Sequence, residues 1–222
     1  MEFAIVFPVA VLFVLALIQV GFMYMAKLSL NHATFMAARA GALNNARMGP
    51  IRETLIRGLS PFYQDSSVDS DWQRLVVAYA LATVDAVPFL DIALLNPSDG
   101  AFADFGVRDA ARRVTYIPND NLEWRSDTVG ARSGVNIRDA NLLKIRVVYG
   151  YELKVPLMAN ILRWTMCGGG SAAVPAWGDG SFLSAIAPMS AHCLRYYSLG
   201  RVPIESFAIV EMQSRPERPE GK

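Results

Sequence analysis

Between Phe3 and Met25 the chain has no aspartate, glutamate, lysine, arginine or histidine. About 23 residues at a helical rise of ~1.5 Å span about 34 Å, enough to cross a hydrocarbon layer of about 30 Å. No lysine or arginine precedes this run. A secretory signal needs a basic start, a shorter apolar core and a small-residue cut site, so the run reads as a retained transmembrane helix over 1–26. Pro8 is tolerated there because a missing N–H costs least near a helix start.

Cysteine and histidine are almost as scarce, with two of each in 222 residues. His32 reads as a helix-surface residue. His192 adjoins Cys193, but no residue orients the pair as a nucleophile and its base. Two Cys and two His so spaced do not make a zinc site. Gly168–Gly170 lacks the Lys-Ser/Thr of a phosphate loop, and Asp99–Gly100 and Asp179–Gly180 are turn dipeptides. No acid–base pair or nucleophile assembles, so the expectation is a protein that is not an enzyme, with no catalytic, metal or cofactor-binding residues. The net charge of +1, from 21 basic and 20 acidic residues, gives no basic face for nucleic acid. Cys167 and Cys193 bracket a Gly-, Ala- and Pro-rich segment. Outside the cytoplasm they are expected to form a disulfide, stabilising by roughly 3–4 kcal/mol in the chain-entropy account.

Beyond Lys27 the run LSLNHATFMAARAGALNNAR stays rich in helix-forming Ala, Leu and Met and lacks proline until Pro50. This predicts a helical stem over 27–48, continuous with the membrane span to about Asn44. Ser29, Ala33, Ala37 and Gly41 fall at steps of four and make a flat stripe. Such a stripe suits close approach by a helix of another subunit, and equally suits packing on the chain's own domain.

The rest predicts a globular domain over 50–214. IRETLIRGL reads as a short helix. SDWQRLVVAYALATVDA reads as a helix burying Trp72, Leu75, Val76, Tyr79, Leu81 and Ala82. RRVTYIP is a possible strand before a mostly turn-forming stretch. The clearest β signal is NLLKIRVVYGYELKVP, where Leu143, Ile145, Val147, Tyr149, Tyr151, Leu153 and Val155 alternate with a wetter face. PLMANILRWTM then reads as a helix. In RVPIESFAIVEMQS, Val202, Ile204, Ala208, Val210 and Met212 share one face, and Glu205, Glu211 and Gln213 the other. The tail 215–222 reads as disordered. The expected class is α+β, with an antiparallel sheet and accessory helices behind a long N-terminal helix.

Lys27, Arg39 and Arg47 follow the span with no basic residue before it, which taken literally puts the domain in the cytoplasm. The cysteine pair points instead to an oxidising compartment.

The opening Glu2-Phe3-Ala4, the early Pro8 and the stretch Ala37-Ala38-Arg39-Ala40-Gly41 resemble TadE-like proteins of the tight-adherence (Tad, Flp-type) pilus machinery. IPNDNLEWR, IRDANLLKIRVVYGYELKVPL and PIESFAIVEMQS also look like Tad-type assembly proteins. The resemblance implies a pseudopilin whose basic leader is removed by a prepilin peptidase. The cut would fall before Met1, so either the start lies upstream or processing is lost here; a leader upstream is the expectation. That leader would supply cytoplasmic charge and send the domain to the periplasm, leaving a single-pass protein of the bacterial inner membrane. Glu2 and Phe3 match the family's assembly residues. A charge in mid-bilayer costs about 2.5–3.5 kcal/mol, which pairing of Glu2 with a neighbouring subunit's amino terminus would offset. A carboxylate resting at headgroup level is the alternative. The implied partners are other pilin-like subunits, inner-membrane pilus assembly proteins, the prepilin peptidase and membrane lipid.

Overall fold

The computed structural model describes residues 2–65, 67, 70–155, 157–161 and 195–219. One continuous helix, α1 (Glu2–Leu43), carries the apolar run and the stem, with Pro8 inside it. It ends where the sequence changes to Asn44–Asn45. Asn45 turns left-handed (φ 59°) and the Ala46 N–H reaches back to the Gly41 carbonyl at 2.9 Å. That pairing closes the helix end as a Schellman-type cap, for which asparagine is one of the few suited residues.

The elements that follow are α2 (Met48–Leu59), α3 (Asp71–Phe89), β1 (Leu90–Asn96), α4 (Asp99–Phe105), β2 (Val107–Asp109), β3 (Val114–Tyr116), α5 (Ile137–Ala140), β4 (Leu142–Glu152), β5 (Arg201–Glu211) and β6 (Glu217–Pro219). They form two three-stranded sheets, ordered β1-β4-β5 and β2-β3-β6. Hydrogen bonds from Met212 N to Asn141 O (3.0 Å) and from Leu153 N to Gly200 O (3.1 Å) close opposite ends of the β4–β5 pair, which is therefore antiparallel. β3 pairs antiparallel with both β2 and β6, in registers that include Arg108↔Thr115 and Thr115↔Arg218. The architecture is α+β, as the sequence predicts.

By contacts the chain divides into two compact units. The first takes residues within 1–30, 85–91 and 148–206; the second takes 31–84, 92–147 and 207–222.

In the first unit, Gln19, Met23, Ala26 and Leu30 of α1 are buried, a stripe at helical spacing. The second half of β4, Val148 to Tyr151, is buried on both faces, as is the first half of β5, Val202 to Ser206. Glu205, expected on a wet face, is 1% exposed, with Lys27 Nζ donating to its backbone oxygen. Arg201 forks onto Asp85 at 2.6 and 2.9 Å, donates to the Gly150 carbonyl at 2.9 Å, and lies 3.9 Å from the centre of the Phe89 ring.

In the second unit, α2 buries Ile51, Leu55, Ile56 and Leu59. A smaller cluster of Ala101, Ile117, Ile137 and Ala140 is flanked by Phe102, Phe105, Leu122 and Val135. The Asp104 carboxylate accepts from the backbone N–H groups of Arg132 (2.9 Å) and Ser133 (2.7 Å), tying down the loop before α5.

Two expectations differ, and one strand was not anticipated. In α3 the large residues do not face inward: Trp72 is 72% exposed, and Leu75, Val76 and Leu81 are exposed too. Tyr79 is half-buried. The buried line is Ala78, Ala82 and Ala86, small side chains that let the helix backbone lie close to what it covers. β1 follows Phe89 directly, in a stretch to which the sequence assigned no element. The tail is not disordered from 215. Residues Glu217–Pro219 form β6, and the Asn45 side chain donates to Arg215 O at 2.8 Å. The expected bridge between Cys167 and Cys193, with His192, Trp164 and Trp177, lies outside the described residues.

Candidate assembly surface

Glu2 is the first residue of α1. Phe3, one residue on, is 78% exposed and its ring stacks on that of Phe7 with centroids 5.5 Å apart. Val6, Phe7, Val9, Val11, Leu12, Phe13 and Val14 are all exposed, so this part of the helix offers apolar surface on every side. A helix apolar all round belongs inside a larger assembly or a bilayer. Residues Val6–Leu43 form the one described helix long and apolar enough to cross a membrane, with 11% of its most apolar window buried.

The small-residue stripe lies elsewhere. Ala33 and Ala37 are fully buried, Gly41 is buried and Ser29 half-buried. Their cover is this chain. A Cβ placed on Gly58 of α2 would lie 2.5 Å from the Ala33 Cβ, so α1 and α2 touch backbone to backbone there. A Cβ on Gly41 would meet Ile51 Cγ1 at 2.7 Å and Leu143 Cδ2 at 2.8 Å. Of the two readings of the stripe, the geometry fits packing on the chain's own domain. It is not an open face for a second subunit.

Two features escaped the sequence reading. Gln19 is the one polar side chain between Phe3 and Phe22. It is 2% exposed, and its Oε1 accepts from the Val155 N–H at 2.9 Å. A lone amide in an apolar run is a signal of a fixed partner, because an unpaired buried amide costs a few kcal/mol. The second is Glu217, whose carboxylate meets Arg112 (2.7 Å), Arg47 (3.1 Å) and Arg215 (3.2 Å). Burial alone would push the Glu217 carboxyl up. Hydrogen bonds from Arg47, Arg215 and Arg112 and the Arg112 charge hold it below its ordinary value. No spacing rule connects residues 47, 112, 215 and 217.

His32 is exposed on α1. Among the described residues no group of three or more His, Cys, Asp or Glu is placed to hold a metal ion.

Residues 1–39 match the family model described as a TadE-like protein. That segment coincides with α1 up to Arg39 and includes Glu2, Phe3, Pro8, Ala33 and Ala37. No curated protein and no solved structure matches the chain.

Proposed function

With a TadE-like segment over residues 1–39 as the premise, we propose that this protein is a membrane-anchored pseudopilin, a minor pilin-like component that assembles a Tad (Flp-type) pilus or its secretion apparatus. It is a structural subunit, not an enzyme. α1 enters the bacterial inner membrane, with the remainder in the periplasm. The observation that carries this reading is the coincidence of the matched segment with a helix that is apolar on all sides near its start. That surface suits lipid before assembly and the helices of other pilin-like subunits after it. Glu2 sets axial register by pairing with a neighbour's freed amino terminus, and Phe3 packs beside it. Inner-membrane assembly proteins and a prepilin peptidase are the other partners.

A second reading, an anchored periplasmic scaffold that never enters a filament, is favoured by one observation. The Ala33–Gly41 part of the stripe is already covered by α2 and β4. What then remains for contact with other subunits is the portion before Gln19 and the exposed side of α1 beyond it, which carries Tyr24, Met25, Leu28 and Phe35.

The test is the mature amino terminus of the protein from membranes of its native cell, with and without the prepilin peptidase. A peptidase-dependent end is expected, and Glu2→Ala should abolish pilus assembly while the protein stays in the membrane. An end independent of the peptidase, together with normal assembly by Glu2→Ala, would leave the scaffold as the function.

A further inference from the structure

The position of Gln19 sets how deeply the body of the protein can stand above the bilayer. From Val6 to Ile18 the helix has no fully buried residue, and Phe3 before it is exposed. Phe3 to Ile18, about 16 residues, spans ~24 Å, against about 30 Å of hydrocarbon. If the Glu2 carboxylate rests at one headgroup level, the opposite boundary falls about one turn beyond Ile18. That turn is already docked, with Gln19 2% exposed and hydrogen-bonded to Val155 N. Tilt of the helix only increases the overlap, because a tilted helix needs more residues to cross. Tyr24, 64% exposed and one turn further on, sits where aromatic side chains collect at a membrane boundary.

The chain beside Val155 therefore lies at the membrane surface. Two residues on, Leu157 is 56% exposed, and Ile161, four residues later, is 42% exposed. Ile161 N bonds to Leu157 O at 3.1 Å, so the two residues stand one turn apart. We infer that Leu157 and Ile161 form a second membrane contact, dipping into the boundary between headgroups and acyl chains of the leaflet through which α1 emerges. The contact fixes the body of the first unit against the bilayer and resists rotation about α1. Lys154, just before it, keeps its ammonium on Glu152 at 2.7 Å at the polar margin.

This rests on the membrane-anchor reading, and the experiment separates the two. A dansyl-bearing amino acid is placed singly at Phe13, Leu157 or Ile161 in the full chain, leaving both cysteines in place. The protein is reconstituted in phosphatidylethanolamine/phosphatidylglycerol vesicles and quenched by lipids carrying a doxyl group near the headgroup or deep in the acyl chain, or by aqueous iodide. The expected result is deep quenching at position 13 and loss of fluorescence at 157 and 161 to the shallow lipid rather than to iodide. Deep quenching at 13 with iodide quenching at 157 and 161 would overturn the contact and leave the anchor standing. No lipid quenching at 13 would remove the anchor, and the contact with it.

Discussion

At the scale of single residues, Glu217 of the second unit is held by three arginines, Arg47, Arg112 and Arg215. Its carboxylate is 2% exposed, whereas the arginines that hold it retain 58%, 48% and 35% of their side-chain exposure. The carboxylate has thus given up water while its partners have kept theirs. A carboxyl whose folded pKa lies below its unfolded value adds stability that is present above the unfolded value and lost as pH falls through the folded one. The window therefore lies below the ordinary value of 4.5. Glu217→Gln should lower stability at neutral pH by about 1–3 kcal/mol, the cost of breaking hydrogen bonds to a charged group. It should also flatten the acid limb. Denaturant midpoints of the detergent-solubilised chain from neutrality to about pH 3 measure both effects. Parallel pH profiles for the two proteins would contradict the assignment. None of this was legible beforehand, because SRPERPEGK reads by composition as a solvated tail. The ordering comes from β6 pairing with β3 and from arginines distant in sequence.

At the scale of elements, the sequence was informative wherever one periodicity had one meaning. The alternation Leu143, Ile145, Val147 appears as buried residues with half-exposed ones between them. It fails from Val148 onward because that half of the strand is covered on both sides. Helix α3 failed for another reason. Ranking apolar residues by size puts Trp72 and Leu75 inside, but close approach selects for the smallest side chain, and alanine took the buried line. The same physics governs α1 against α2 and gives a paired test. Gly58→Ala gains up to ~1 kcal/mol of helix propensity but forces a methyl into Ala33, an overpacking cost of about 1–3 kcal/mol. It should therefore destabilise. Gly49→Ala in the same helix meets nothing within 4 Å and should be neutral or stabilising by up to ~1 kcal/mol. Opposite shifts in Tm are the expected outcome. A stabilising Gly58→Ala would mean the helices do not touch there.

At the scale of the whole molecule, α1 has two environments along one rod. Val6 to Val14 present exposed apolar surface, whereas from Gln19 onward a stripe through Met23, Ala26, Leu30, Ala33, Ala37, Ala38 and Ala42 is buried. The sequence showed that the helix is long and where it stops being membrane-like in charge. It did not show where docking begins, since Lys27 marks the end of the uncharged run and Gln19 marks the start of the covered one. If the stripe is core, the helix beyond Gln19 is required for folding and the helix before it is not. Leu30 alone, wholly buried, contributes about 1.5–3 kcal/mol, and the stripe together reaches the lower part of the roughly 5–15 kcal/mol by which a domain is stable. A chain shortened to residues 19–222, kept in mild detergent to cover Val20, Phe22 and Met25, should still unfold in one cooperative step. A chain shortened to residues 46–222 should show no cooperative transition by circular dichroism. If the shorter chain folds, α1 is an anchor attached to an independent body rather than part of its core. If the longer chain fails to fold, the early turns do more than meet lipid or other subunits.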